Sequence, residues 1–438
     1  MEAGSGASDD EHTSGWKDRL KALGPGLVTG SSDNDPSGVA TYAQAGAQYG
    51  FGMAWTSLLT LPMTIAVQEM CDRTATATGE GLGRLVRRRF GHRGRIVIGV
   101  LLVLLLVANG VNIAADLMAV GDGMQLLGAG PAKLWAPIAG LALVLLLVVG
   151  SYRVLSKVLV WLCLVLFAYV VVLFLAHVQW GEVWAGLTLR RLSPGLGFWG
   201  LVAAVFGTSV SPYLFFWESG QRIEEMRRAH GDARGASDAD LPPHKAQRRR
   251  KQQRFDVVTG MVTSALVMFA IIVATGATLG RHHTTVTTAS DAARALRPLA
   301  GSWASVIFAL GFIGTGLLAV PVLAASASIG ISALTDRTWG FDRSPRRAPV
   351  FYGLLLLGLV GGAVLSLLTR NVMRLLVLSA MVNAVVAAPF LVVVLMIAGT
   401  RSIMGEHTNG PASRIVGWVT AVFMGVAGVL AIWSQLAG

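Results

Sequence analysis

The sequence predicts an all-α, polytopic membrane protein, and three observations carry that reading. First, 53% of the 438 residues are hydrophobic and only 14% are charged, against about 25% charged in an ordinary soluble domain. Second, Asp, Glu, Lys and Arg are absent from 96–115, 158–176, 192–217, 257–280, 298–335, 348–369, 375–400 and 415–438. Each stretch approaches or exceeds the roughly 20 apolar residues that cross a bilayer. Third, the basic residues alternate in position, as the loops of a multi-pass protein do. A soluble enzyme, a secreted disulfide scaffold and a nucleic-acid binder are excluded on these grounds.

Taken in chain order, the apolar segments give eleven spans: 22–46, 51–72, 96–120, 134–150, 155–177, 197–219, 256–280, 302–333, 348–369, 373–399 and 414–436. Ahead of them, residues 1–15 are polar, lack a charged-then-apolar leader pattern and read as a disordered tail. Residues 16–438 read as one transmembrane domain. Between the spans, basic residues gather at Arg84–Arg95, Arg153–Lys157, Arg222–Arg254, Arg337–Arg347 and Arg401–Arg414. With Arg73 and the N-terminal Lys17, Arg19 and Lys21, that side holds 28 of the 36 Lys and Arg. The other side holds only Lys133, Arg190, Arg191, Arg281, Arg294, Arg297, Arg370 and Arg374. The positive-inside rule then puts the basic loops and the N-terminus in the cytoplasm. An odd number of spans puts the C-terminus outside. The run His244–Arg254 (HKAQRRRKQQR) fits a topology-setting loop near anionic headgroups better than a nucleic-acid patch. Cys71 and Cys163 lie in apolar segments and support neither a disulfide nor a thiol metal site.

Two spans are interrupted. The first carries Asp33, Asn34 and Asp35 near its middle, followed by Pro36, Ser37 and Gly38. The sixth carries Gly207, Thr208, Ser209, Ser211 and Pro212 at a similar depth. Proline removes a backbone donor and clashes with the preceding turn, so both are expected to be broken helices. Spans one to five and six to ten would then be two repeats, about 22–177 and 197–399, with 414–436 as an extra helix. Five spans per repeat inverts the second relative to the first. Paired interrupted spans in corresponding positions point to a midplane site in a secondary transporter.

A carboxylate at that depth normally faces a cavity or a partner. Asp35, beside carbonyls that the break sets free, could offer hard oxygen ligands to a cation. It could equally cap the half-helix that begins at Pro36, and the two roles are compatible. Asp33 could rim the site or serve as a cap. Ser211 adds a hydroxyl, for which back-bonding to its own helix is the ordinary explanation. Asp116 and Glu218 could relay protons or pair with an inward Arg. Asn109, Asn112 and Asn383 read as interhelical hydrogen-bond partners, and His282 and His283 as a solvated external pair. The sequence holds no usable phosphate loop, nucleophile elbow or Cys/His zinc spacing, so neither an enzyme nor a resident cofactor is expected.

The run LGPGLVTGSSDNDPSGVATYAQAGAQYG resembles the first span of the NRAMP divalent-metal transporters. GTSVSPYLFFWES resembles their sixth span, and AADLMAVGDGMQLL their third. The resemblance implies a LeuT-like fold, with two inverted five-helix repeats and a metal site between broken helices one and six. Carried over residue by residue, it implies Asp35, Asn34, Gly38, Thr208 and Ser211 around the metal. Asp33, Ser37, Ser209 and Tyr213 would lie behind them or at the mouth, with Asp116 and Glu218 on a proton or cation path. The departures are specific. The family's Asp-Pro-Gly-Asn is Asp35-Pro36-Ser37-Gly38 here, so the Asn ligand is lost. The sixth-span Met falls on Ser211 and its following His on Tyr213. A later His falls on Glu218, and a third-span Glu becomes Ala119.

Thioethers favour transition metals, whereas Mg²⁺ keeps several waters and prefers oxygen. The combination is similar to the NRAMP-related magnesium transporter branch, which implies Mg²⁺ and Mn²⁺ import without proton coupling. The expected partners are divalent ions and the lipid bilayer, with no nucleic acid and no obligatory protein. The expected location is the cell membrane of a bacterium. The competing expectations are a proton-coupled Mn²⁺/Fe²⁺ symporter, a cation-coupled organic-solute symporter of the same fold, and a membrane sensor. The 221–255 segment is too short to give the last a folded domain.

Overall fold

The computed structural model describes residues 25–149, 167–175, 178–192, 195–230, 242–280, 304–368 and 371–436. The 1–15 tail, Cys163, most of the fifth span and His282–His283 lie outside the described residues. Sixteen helices are described. The first span is α1 (Pro25–Ser32) and α2 (Pro36–Tyr49), and the second is α3 (Trp55–Thr78). A short helix α4 (Leu82–Arg89) leads to α5 (His92–Leu126) and α6 (Ala132–Val149). Of the fifth span, α7 (Phe167–Leu175) is described, followed by a short α8 (Trp180–Leu187). The sixth span is α9 (Leu196–Ser209) and α10 (Pro212–His230), and the seventh is α11 (Pro243–Thr278). The rest are α12 (Ala304–Leu334), α13 (Pro349–Leu368), α14 (Val372–Ala398), a single turn α15 (Arg401–Met404) and α16 (Pro411–Leu436).

Eight helices among the described residues, counting the interrupted α9–α10 as one, are long and apolar enough to cross a membrane. They match the expected third, fourth and sixth to eleventh spans. The first is absent because it is split into two short pieces. The second, α3, carries Gln68, Glu69, Asp72 and Arg73 in its last half. It reaches the threshold only together with α2, to which it is bent by 106°.

One expectation changes. The 221–255 connection is mostly helix, because α10 runs on to His230 and α11 begins at Pro243. The basic run His244–Arg254 is thus the first three turns of α11, where Arg and Gln are good helix formers.

Hydrophobic faces decide the packing. On α5, Ile96, Val100, Val103 and Val107 are exposed along one stripe, while Leu102, Leu105, Asn109, Asn112 and Asp116 are buried on another. In a bilayer the first stripe meets lipid and the second meets α12 and α14. Trp180, Trp184, Trp418 and Trp433 are also exposed, as the rings of an interfacial belt are.

The two broken spans lie at the centre. α1 and α2 pack against α11, and α9 packs against α14 and α16. Gly30 lies so close to the Gly260 backbone that a Cβ at either glycine would collide with the other helix, and Gly207 meets Ala380 and Ala384 of α14 in the same way. Small residues let the backbones approach, and this seats the two breaks side by side.

Candidate metal site

Two prolines build the site. Pro36 has no N–H for the Ser32 carbonyl, and Pro212 has none for the Thr208 carbonyl, because each lies four residues downstream. A side-chain hydroxyl replaces the missing donor in both cases. Tyr213 donates its phenolic proton to the Ser32 carbonyl at 3.2 Å. Ser211 donates to the Thr208 carbonyl at 2.7 Å, with the Gly207 carbonyl also within reach at 2.8 Å. The first hydroxyl crosses from one broken span to the other, and the second stays within its own.

Asp35 sits at the first break with 1% exposure. It caps α2, accepting the Gly38 N–H at 2.7 Å through Oδ1. The same oxygen accepts from Ser37 at 2.5 Å and Thr208 at 3.3 Å, and Oδ2 lies 3.5 Å from the Tyr213 hydroxyl. Ser37 and Thr208 are themselves 3.2 Å apart, so one carboxylate and two hydroxyls join the breaks directly. The helix-capping role considered for Asp35 is observed.

Asp33 and Asn34 face α11. Ser264 donates to Asp33 Oδ2, and the Asn34 amide donates to the Ser264 carbonyl at 3.4 Å. Asp33 Oδ1 and Asn34 Oδ1 have no hydrogen-bond partner among the described residues, although both are buried. Ser209 pairs with the Tyr42 hydroxyl at 2.9 Å and donates to the Val205 carbonyl at 3.0 Å. Gly38 leaves the space beside Asp33, Thr208 and Tyr42 that a side chain would fill. A Cβ there would stand 3.3 Å from the Asp33 carbonyl, the Thr208 hydroxyl and the Tyr42 ring.

The structure therefore brings Asp33, Asn34, Asp35, Ser37, Gly38, Thr208, Ser209, Ser211 and Tyr213 together around the breaks. The two path candidates are set apart. Asp116, on α5, is fully buried, and neither carboxylate oxygen has a hydrogen-bond partner among the described residues. Its main chain passes Gly316, which also neighbours Pro36. Glu218 lies two turns along α10, paired with Arg222 at 3.5 Å and accepting from Thr29, so of its expected roles the Arg pairing is observed. Asn112 donates to Asn383 at 3.3 Å, and Asn109 to Ser326 at 2.9 Å, as interhelical partners should.

Ser264 and Met268 were not anticipated. Both lie in the seventh span, whose apolar run gave no sign of a break, yet their i, i+4 spacing puts them on one face. The Met268 sulfur comes within 3.8 Å of the Ser209 hydroxyl and 3.6 Å of Thr60. It stands behind Ser209 rather than among the Asp35 contacts.

Among the described residues, no three His, Cys, Asp or Glu side chains are placed to hold a metal ion between them. Every group touching Asp35 is a hydroxyl or a backbone amide. The donors available to an ion are thus one carboxylate, amide and main-chain carbonyls, hydroxyls and water. This is a hard-oxygen set.

The family model for natural resistance-associated macrophage protein-like (Nramp) proteins matches residues 26–434. The chain belongs to the Nramp family. A divalent metal cation transporter MntH of Deinococcus radiodurans is 26% identical over 426 residues, covering 96% of this chain and 91% of the relative. One from Klebsiella pneumoniae is 26% identical over 428 residues, covering 96% of each. Among solved structures, a mutant of the Eremococcus coleocola manganese transporter aligns with a TM-score of 0.73 at 17% identity, over 100% of this chain and 90% of that one. Mhp1, a nucleobase-cation-symport-1 family transporter, aligns with a TM-score of 0.50 at 15% identity, over 92% of each chain. At these identities the structural matches speak for the fold, and that fold is LeuT-like. This Nramp chain is a multi-pass membrane protein.

Proposed function

We propose that this Nramp-family chain transports divalent metal cations, with Mg²⁺ as its main cargo and Mn²⁺ also accepted. The observation that carries the reading is the all-oxygen donor set at the two breaks. Ser211 stands where the family places a thioether, and Gly38 where it places an amide. With no amide at 38 to displace its water, an ion that gives up its waters reluctantly is favoured, which suits Mg²⁺. Asp35 supplies the charge, Asn34 and Thr208 contribute oxygens directly or through water, and Ser211 releases the Thr208 carbonyl to do so.

Transport proceeds by one repeat-derived bundle rocking about the breaks, with the basic-loop face toward the cytoplasm. The family's proton-handling His and Glu positions are Glu218 and Ala119 here, and Glu218 is engaged by Arg222. Uptake is therefore driven by the membrane potential, which supplies about 2.3 kcal/mol per charge per 100 mV and about twice that for a divalent ion.

The competing reading is proton-coupled Mn²⁺ uptake. It draws on the manganese transporter of similar fold and on the Asp116 carboxylate, which has no hydrogen-bond partner among the described residues. Liposomes containing the purified protein, an internal Mg²⁺ or Mn²⁺ dye and a pH probe separate the two. Mg²⁺ influx without acidification is expected. Mn²⁺ influx with acidification and no Mg²⁺ influx would overturn the proposal.

A further inference from the structure

Away from the breaks, Arg222, on α10 and only 3% exposed, pairs with four carboxylates. Its Nε donates to Asp72 of α3, and Nη1 to Glu225 at 2.6 Å. Nη2 lies 3.5 Å from Glu218 and 3.3 Å from Asp256 of α11. Asp72, Glu218 and Asp256 are buried with it, so three interior carboxylates share one guanidinium.

Two of these carboxylates also hold α1. Asp256 accepts the Gly26 N–H at 2.9 Å and the Leu27 N–H at 3.2 Å, the free donors of that half-helix's first turn. Glu218 accepts the Thr29 hydroxyl one turn on. The eight-residue α1 ends at the Asp33–Asn34 break, and its glycine face lies on Gly260 and Val257 of α11. These polar ties add to the glycine packing in holding α1 against α10 and α11. They lie at the end of the bundle where α3 and α10 finish and the basic turns of α11 begin.

We propose that Arg222 is a positioning residue. Through Asp256 and Glu218 it clamps α1 in the seat that closes the breaks off from the basic-loop face. Release of this clamp, rather than any change at Asp35, opens that side of the site. The inference rests on the transporter reading for its purpose, but the clamp itself is testable without transport.

Arg222→Ala would remove the guanidinium that three buried carboxylates share and is expected to cost the fold. The informative variants are Asp256→Asn, which removes the charge and leaves a single acceptor oxygen for the Gly26 and Leu27 N–H groups, and Thr29→Val, which removes the hydroxyl tie to Glu218. The reporter is Ser31→Cys, a buried α1 position whose hydroxyl has no partner among the described residues, in a Cys71→Ala, Cys163→Ala background. A second reporter, Ala47→Cys, is buried near the far end of α2.

Asp256→Asn should speed modification of Ser31→Cys by a hydrophilic thiol reagent by about tenfold or more, the shift that follows loss of one charge-assisted hydrogen bond. Thr29→Val should act in the same direction but less strongly. Labelling of Ala47→Cys should stay at its parental rate. An unchanged Ser31→Cys rate, or an equal rise at both reporters, would overturn the clamp, since the latter signals general loosening. Asp35→Asn should lose metal uptake while keeping the parental labelling pattern. Failure of the metal reading and failure of the clamp therefore give different results.

Discussion

Asp35 carries two roles that one substitution confounds and two substitutions separate. As the cap of α2 it satisfies the Gly38 N–H at 2.7 Å, and losing a capping side chain costs about 0.5–2 kcal/mol. As the proposed charge of the metal site it does something no neutral residue can replace. At an effective dielectric of 20, unit charges 4 Å apart attract by about 4 kcal/mol, and a divalent ion by about twice that. Even half of that value corresponds to roughly a thousandfold in affinity, at about 1.4 kcal/mol per factor of ten. Asp35→Ala removes both contributions. Asp35→Asn keeps an oxygen for Gly38 and Ser37, and Asn caps about as well as Asp, so only the charge is lost. The expected result is a near-parental melting temperature for Asp35→Asn, a lower one for Asp35→Ala, and Mg²⁺ uptake at least a hundredfold down in both. Uptake and thermal unfolding in detergent measure the two effects separately. If Asp35→Asn carried Mg²⁺ within a few-fold of the parent while Asp35→Ala did not, the carboxylate would be a cap and no more.

Three further outcomes follow from the same geometry. Ser211→Met replaces a hydroxyl with a soft thioether beside the sixth-span break and should shift the Mg²⁺/Mn²⁺ uptake ratio toward Mn²⁺; an unchanged ratio would count against the softness argument. Tyr213→Phe strips the buried Ser32 carbonyl of its donor, a loss of about 1–3 kcal/mol. It should lower the melting temperature without metal, and saturating Mg²⁺ should recover more stability than it does in the parent. At the surface, Asp336 accepts from Arg84 at 2.6 Å and lies 3.1 Å from Arg87. The Arg84 hydrogen bond and charge, helped by Arg87, hold its carboxyl below the ordinary value. A depressed carboxylate stabilises the fold above its ordinary titration range and loses that contribution as pH falls through its lowered value. The stability gap between the parent and Asp336→Asn should thus be flat from pH 5 to 8 and close only below about pH 4. A gap that closed near pH 6 would contradict the pairing.

Much of this architecture was legible because its signals are local. Pro36 and Pro212 mark the breaks because each follows a polar run, Ser-Ser-Asp-Asn-Asp and Gly-Thr-Ser-Val-Ser, whereas Pro62, Pro137, Pro321 and Pro389, set among apolar residues, stay inside continuous helices. The charge-free runs marked the spans for the same reason. The Asp33–Asn34–Asp35 cluster advertised its own cost in lipid. What stayed hidden depends on partners remote in sequence. Ser264 and Met268 look like ordinary residues of an apolar run until α11 is laid against α2. Asp256 reads as the last charge before the seventh span, not as the acceptor for Gly26, 230 residues away. The 221–255 segment misled because its polarity suggested a loop, whereas Arg, Lys and Gln continue a helix readily beyond the membrane.

The two prolines also suggest why the site can empty without harm. A carbonyl freed by proline is useful to a cation only while one is present. Afterwards it is a buried acceptor without a donor, at about 1–3 kcal/mol. Both freed carbonyls already have a substitute within the same constellation, the Tyr213 hydroxyl for Ser32 and the Ser211 hydroxyl for Thr208. Each hydroxyl hangs on a side chain that can turn away when an ion arrives and return when it leaves. On the proposed reading, binding exchanges hydroxyl protons for metal coordination at the same oxygens, and neither state strands the Ser32 or the Thr208 carbonyl. A Met at 211 can coordinate but has no proton to return to Thr208. Substituting it therefore changes the empty state as well as the loaded one, and selectivity and release should move together.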